Sequence, residues 1–261
     1  MFQADAILAS TPIAYAELHA EIDSTNNRAL ELCRDAALPT PALVVAERQS
    51  AGRGHRGREW WSPDGALLMS LVVEPPAGVS NPQHRHGLVA LAAAAGVADA
   101  VEHLLGKAPV AVKWPNDVLL DGRKLAGILV EAPHLVSAAT PRLVVGMGLN
   151  VNNQSADYAS LAEAAGREFD LQQTLFVLLQ TLLPRFDQAW RGDPALLDSL
   201  ARRCALTDRD VEVAAAQGVV TGICRGIAED GGLRIETSAG VQTIHSGAVM
   251  LGFVPKGVRG S

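Results

Sequence analysis

The sequence predicts an α+β fold, a β-sheet carrying helices followed by a small β-barrel. Up to residue 206, apolar runs of strand length alternate with stretches of helical periodicity. Beyond it the helical period stops, and short β-type runs separated by glycine-containing turns fill about 50 residues, a scale at which such a barrel can fold. Of the 261 residues 48% are hydrophobic and 19% charged, enough to bury a core. Only 4% are aromatic, so that core is mostly Ala, Val and Leu.

The elements follow in order. Asp23-Ser24-Thr25 before Asn26-Asn27-Arg28-Ala29-Leu30 starts a helix, with Ser24 or Thr25 able to accept from first-turn amides. Residues 42–47 form a short apolar strand that feeds a glycine-rich loop, and 67–74 form a second strand. A helix over 87–105 precedes strands at 108–114, 124–131 and 142–152. Residues 171–190 have the period of a long amphipathic helix, and 194–204 of a shorter one. The β-type runs are 211–213, 219–227, 233–237 and 241–245, which puts a domain boundary between residues 1–206 and 207–261. The tail from Lys256 to Ser261 is expected to be loose.

Several function classes are disfavoured. A net charge of −6, from 22 basic and 28 acidic residues, does not supply the broad basic field of a general nucleic-acid binder. Cys33, Cys204 and Cys224 form neither a CxxC motif nor an even disulfide framework, which suits reduced thiols in the cytoplasm. The N-terminus has no basic segment of the secretory kind. The apolar stretch 88–105 is interrupted by Asp99, Glu102 and His103 and reads as a buried helix, so no membrane partner is expected. His84-x-His86 has no Cys or acidic neighbour to complete a metal site; His19, His103, His134 and His245 are isolated.

Two stretches carry chemistry. In Lys113-Trp114-Pro115-Asn116-Asp117, followed by Lys124-Leu125-Ala126-Gly127, a hairpin through Asp121-Gly122 would fold the two lysines back toward one site. Two cations near a carboxamide and a carboxylate suit a phosphate-bearing ligand. The second stretch is Gln49-Ser50-Ala51-Gly52-Arg53-Gly54-His55-Arg56-Gly57-Arg58-Glu59-Trp60. Its glycines let backbone amides approach a ligand, and its guanidinium groups match phosphate or carboxylate oxygens. A solvated basic loop would read the same way. It is not a Walker A loop, because no Gly-Lys-Ser/Thr follows, and Pro63 with a strand after it rules out a Rossmann turn.

These stretches stand in order with Ser24-Thr25-Asn26 before them and Gly146-Met147-Gly148-Leu149-Asn150-Val151-Asn152 after them. Together they make the chain strongly resemble the catalytic and C-terminal domains of bacterial biotin protein ligases. The resemblance covers nearly the whole length, and GRGxRGRxW and KWPNDxxxxxxKLAGILxE are specific to that family. It implies a class II synthetase-like catalytic domain, a mixed sheet with helices on one face, and an SH3-like C-terminal barrel. Only 23 residues precede Ser24, so the expectation is a monofunctional ligase without a DNA-binding repressor domain.

The reaction so implied consumes biotin and MgATP, forms biotinyl-5′-adenylate and pyrophosphate, and passes biotin to a lysine of the biotin carboxyl carrier protein of acetyl-CoA carboxylase. Lys124 and Arg53 are the expected catalytic residues. Ser24, Thr25, Asn26, Gln49, Gly52, Gly54, His55 and Gly127 join them around biotin. Arg56, Arg58, Trp60, Lys113, Asn116 and Asn150 are expected on the ATP side, with Asp117 as the candidate Mg²⁺ ligand. For Ser24 and Thr25 helix capping competes with ligand contact, and for Asp117 a turn or cap competes. Homodimers occur in the family. Lipoate or octanoate ligation or transfer, within the same superfamily, is the alternative activity. One position departs from the pattern: His55 stands where arginine is common. Its charge depends on pH, so a leakier adenylate is expected.

Overall fold

The computed structural model describes residues 2–79, 85–133 and 141–251, apart from the side chains of Arg56 and Leu251. His84, His134 and the tail from Lys256 lie outside the described residues. Seven strands form the first sheet: β1 (Tyr15–Ile22), β2 (Ala42–Gln49), β3 (Ala66–Val73), β4 (Val110–Lys113), β5 (Asp117–Leu120), β6 (Arg123–Glu131) and β7 (Leu143–Asn150). Their order is β1-β2-β3-β7-β6-β5-β4; β1 and β2 are parallel and every other pair is antiparallel, so the sheet is mixed. Strand β4 stops at Lys113, one residue short of expectation, just ahead of Pro115, which has no N–H to extend a ladder.

The helices are α1 (Ala4–Ser10), α2 (Thr25–Leu32), α3 (His86–Leu105), α4 (Leu161–Ala165), α5 (Leu171–Arg191) and α6 (Pro194–Arg203). Helix α3 is apolar and long enough to cross a bilayer, yet here it is the buried centre of the core, packed on β4 to β7 and on α5. Gly96 allows that close pairing, since a Cβ there would come within 2.9 Å of the Leu182 backbone. Asp170 and Asp193 accept from the first-turn amides of Gln173 and Ala195, and Gly192 ends α5 in the left-handed region, so local chemistry sets these boundaries. Arg203 ties α6 to α3 through Asp99 and Glu102.

Helix α2 lies on the opposite face, over β2, β3 and β7. Ala29 and Cys33 meet Ala42, Val44, Val72 and Val144, the alternate residues of those strands. Just beyond α2, the buried Arg142 pairs with Glu74 and donates to the carbonyls of Asp35 and Leu38, satisfying acceptors that would otherwise be orphaned.

After α6 come β8 (Asp210–Ala215), β9 (Gly218–Ile227), β10 (Leu233–Thr237), β11 (Gly240–Ile244) and β12 (Gly247–Leu251), an antiparallel sheet in the order β11-β10-β9-β8-β12. One face, with Val211, Val213, Cys224, Leu233 and Ile235, is buried with Leu206. The two sheets are joined by a buried hydrogen bond, from the Trp114 indole nitrogen to the Gly231 carbonyl at 3.0 Å.

Candidate functional site

A cavity opens on the α2 face of the first sheet, over β6 and β7. Its floor follows from register. In β7 the period of two puts Gly146, Gly148 and Asn150 on one side, and Gly148 pairs with Gly127 of β6. A Cβ at Gly127 would stand 2.6 Å from the Trp60 ring, and one at Gly148 would fall inside the indole. The paired glycines therefore make a flat slot of bare backbone, and Trp60 lies in it.

One end of the cavity is the start of α2. Ser24 is the N-cap residue but makes no cap hydrogen bond; the side chain of Gln49 does that work. Its Oε1 accepts from the Thr25 amide at 2.7 Å and the Thr25 hydroxyl at 3.1 Å. Beneath, the fully buried Ser70 donates to Asn26 Oδ1 at 2.6 Å and lies 2.8 Å from Thr25 Oγ1. Asn26 Nδ2 donates in turn to Glu131 at 2.8 Å. Every amide orientation here is fixed by a partner, and the Ser24 hydroxyl is left to face the cavity.

The lid is the glycine-rich loop. Trp60 N bonds to the Gly52 carbonyl, Arg53 bridges Glu59, and Gly54 N bonds to the Arg58 carbonyl, which folds the loop on itself around a tight turn at His55–Gly57. Gly52 sits at the neck, where a Cβ would come within 2.7 Å of the Trp60 carbonyl. The Arg53 guanidinium reaches Glu131 at 2.6 Å and Asn27 at 2.7 Å.

The remaining wall comes from the β5–β6 hairpin, whose turn residues Asp121 and Gly122 both have positive φ, as a two-residue Asp-Gly turn requires. It sets Lys124 Nζ 2.7 Å from Asp117 and 5.1 Å from the Trp60 ring centroid. Asn116 Nδ2 is committed to the Ile128 carbonyl. Tyr158, bridged to Lys124, stacks on Trp61 with centroids 5.6 Å apart. Two buried polar atoms in this lining have no partner among the described residues, the Trp60 indole N–H and Asn150 Oδ1. A buried donor and acceptor left unmade cost about 1–3 kcal/mol each, so both are poised for a ligand.

Of the residues predicted from sequence, Ser24, Thr25, Asn26, Gln49, Arg53, Gly54, His55, Arg58, Trp60, Asn116, Asp117, Lys124, Gly127 and Asn150 line this one cavity. Gly52 is the loop's neck instead. Lys113 stands across from Asp117 in the β4–β5 pair, one strand beyond the lining. The Arg56 side chain lies outside the described residues. Sequence reasoning missed Ser70, Trp61, Glu131 and Tyr158. Gly-x-Gly in β7 was the available signal for the floor, had it been set opposite Gly127.

Asp117 and Glu59 are the carboxylates of the lining, and among the described residues no three His, Cys, Asp or Glu side chains cluster as a metal cage. Such a wall fits a cation that arrives on ligand oxygens and keeps most of its own shell. The free cysteines lie away from the cavity. Burial pushes the Cys33 thiol up to about 11, which leaves it protonated and inert at neutral pH.

Residues 18–150 match the biotin/lipoate A/B protein ligase family, and residues 208–252 match the biotin protein ligase C-terminal domain. A biotin–[acetyl-CoA-carboxylase] ligase of Paracoccus denitrificans is 32% identical over 252 residues, covering 89% of this chain and 99% of the relative. The bifunctional ligase/repressor BirA of Bacillus subtilis is 31% identical over 244 residues, 90% of this chain and 73% of its own. Among solved structures, biotin protein ligase from Aquifex aeolicus in complex with biotin and ATP superposes with a TM-score of 0.74 at 27% identity, over 91% of this chain and 98% of that one.

Proposed function

The chain belongs to the biotin/lipoate A/B protein ligase family, and from that premise we propose that it is an ATP-dependent biotin–protein ligase. It activates biotin as biotinyl-5′-adenylate and transfers it to a lysine of the biotin carboxyl carrier protein of acetyl-CoA carboxylase. The observation that carries this reading is a single cavity in which a polar end, a glycine floor covered by the Trp60 ring and a cationic wall succeed one another. Each part suits one part of a biotinyl-adenylate.

Ser24, Thr25, Asn26 and Gln49 take the ureido ring of biotin, with Gly54 allowing close approach and Gly127 seating the Trp60 ring beside it. In the first step a biotin carboxylate oxygen attacks the α-phosphorus of ATP, a P–O bond forms, and the bond to the β-phosphate breaks to release pyrophosphate. Both reactants are anionic, so fixed cations lower the barrier by offsetting charge that is concentrated in the transition state. Lys124 is the best placed of these, and its pairing with Asp117 at 2.7 Å holds it ready. Arg53, His55, Arg56 and Arg58 of the loop, with Asn116, serve the phosphates, while Lys113 stands one strand beyond them, across from Asp117. Trp60 lies against the adenine, and Asn150 offers its unpartnered acceptor to the nucleotide.

Asp117 is the carboxylate that would hold an Mg²⁺ carried on the nucleotide phosphates, where the ion would supply further charge neutralisation. The closed loop shields the mixed anhydride from water. In the second step the carrier lysine, as a neutral amine, attacks the acyl carbon, AMP leaves, and a proton is lost from nitrogen. Residues 1–206 are assigned to catalysis and 207–261 to the C-terminal domain, a division supported by the two family matches. Three free cysteines suit a reducing compartment, so the assigned location is the cytoplasm.

The test is pyrophosphate release from MgATP with biotin, lipoate or octanoate offered separately, with mass spectrometry of the retained adenylate. Release with biotin alone is expected. Release only with lipoate or octanoate would move the chain to the sister activity, and no release with any of the three would leave a binding protein.

A further inference from the structure

Glu131, at the end of β6, lies outside the cavity lining but holds two of its parts together. One carboxylate oxygen accepts from Arg53 Nη2 at 2.6 Å and the other from Asn26 Nδ2 at 2.8 Å. The first partner belongs to the glycine-rich loop, the second to the opening turn of α2. We propose that Glu131 is a positioning residue, an anionic clasp that holds the loop shut against the polar end of the cavity and orients the Asn26 amide. For its ligand this rests on the ligase reading; for the clasp itself it rests on the contacts alone.

The chemistry demands an anion at this position. Both partners are donors, so both oxygens of Glu131 must accept. A glutamine of the same size can turn its oxygen to only one of them, and its amide N–H groups then face the other partner donor against donor. Asn26 has no freedom to compensate, since Ser70 holds its oxygen. Arg53 is fixed at its other nitrogen by Asn27, whose Nδ2 donates to Asp23 at 2.6 Å. The Arg53 side chain is 40% exposed and that of Glu131 22%. The pair is therefore strong enough to bias the loop and open enough for salt to screen it. Such pairs contribute a factor of about two to five. That suits a latch which must also release product.

Trypsin reads the loop without any ligand, because it cleaves after Arg53, Arg56 and Arg58 when the loop is open. On the full chain in about 50 mM salt, Glu131→Gln is expected to be cut there about three- to fivefold faster than the unaltered chain, while sites elsewhere are cut at equal rates. At about 1 M salt, where the Debye length is about 3 Å, the unaltered chain should accelerate to the rate of the variant, and the variant should stay constant. A residue that merely supports the fold would not give this convergence. Equal rates at low salt would overturn the clasp. Should Glu131→Gln fail to fold, the unaltered chain still decides, because a salt-independent cleavage rate also overturns it. With biotin and MgATP the variant should lose retained adenylate about three- to fivefold faster and show a raised KM for biotin with kcat for pyrophosphate release within twofold of the unaltered chain. If no adenylate forms on either protein, the ligase reading fails, and the tryptic result still decides the clasp.

Discussion

Alanine at Gly146 would introduce one methyl group where there is no room for it. Its Cβ would stand 2.6 Å from Asn26 Cγ and 2.9 Å from Nδ2, and nearer still to Oδ1. Asn26 can retreat only by giving up its bond from Ser70, at 2.6 Å, and its bond to Glu131, at 2.8 Å. The first is a neutral bond worth about 1 kcal/mol and the second a charge-assisted one worth about 2 kcal/mol, so Gly146→Ala should destabilise the fold by about 3 kcal/mol. For a domain of this size that lowers Tm by roughly 6–12 °C. Thermal unfolding followed by circular dichroism measures it, and titration calorimetry should show biotin binding weakened together with stability. A double-mutant cycle isolates the cause: in an Asn26→Ala background the same Gly146→Ala change should cost less than about 0.5 kcal/mol, since its obstacle is gone. A Tm for Gly146→Ala within about 2 °C of the unaltered chain would refute the reasoning, and so would full additivity in the cycle.

Three further outcomes are expected. Lys124→Ala should slow pyrophosphate release about 10²–10³-fold by removing a preorganised charge, and a rate within tenfold of the unaltered enzyme would remove Lys124 from its role. His55→Arg should lengthen adenylate retention, read by mass spectrometry after gel filtration, and an unchanged retention time would clear the histidine of any leak. The Arg28 guanidinium of α2 holds the Glu17 carboxyl of β1 below its ordinary range. A depressed carboxylate pKa contributes stability above the unfolded value, and that contribution is lost as pH falls through the folded one. Glu17→Gln should therefore cost about 1 kcal/mol at pH 7 and progressively less below about pH 4.5, in urea melts at stepped pH.

Helices α2, α3, α5 and α6 and strands β2, β3, β6 and β7 were legible because their periods are local, and Asp-Gly between β5 and β6 announced its own turn, whereas the short α1, α4 and β5 were not read as elements. Strand β1 escaped notice. It reads Tyr-Ala-Glu-Leu-His-Ala-Glu-Ile, a half-buried edge whose parallel partner begins 20 residues after it ends, so its apolar alternation is diluted by Glu17, His19 and Glu21. The site divides the same way. Arginines among glycines and lysines beside Asn-Asp carry their chemistry in their residue types. Ser70 does not, since it sits inside an apolar strand and its partners Thr25 and Asn26 lie more than 40 residues away in sequence. The slot under Trp60 needs the register that sets Gly127 against Gly148. Lys113 and Lys124 look equivalent in sequence, and only the strand order separates the wall residue from its outer neighbour.

The bond from Trp114 to Gly231 has a consequence for how the chain comes apart. Trp114 is 2% exposed and immediately precedes Pro115, Asn116 and Asp117. The Gly231 turn that receives its N–H also packs on the start of α3, where a Cβ would meet Leu88 N at 3.1 Å. Losing the C-terminal sheet would give up that bond, worth about 1 kcal/mol, and uncover the start of the central helix. Neither sheet can melt without taxing the other, so calorimetry should record one heat-capacity peak for the full chain, with calorimetric and van't Hoff enthalpies in agreement.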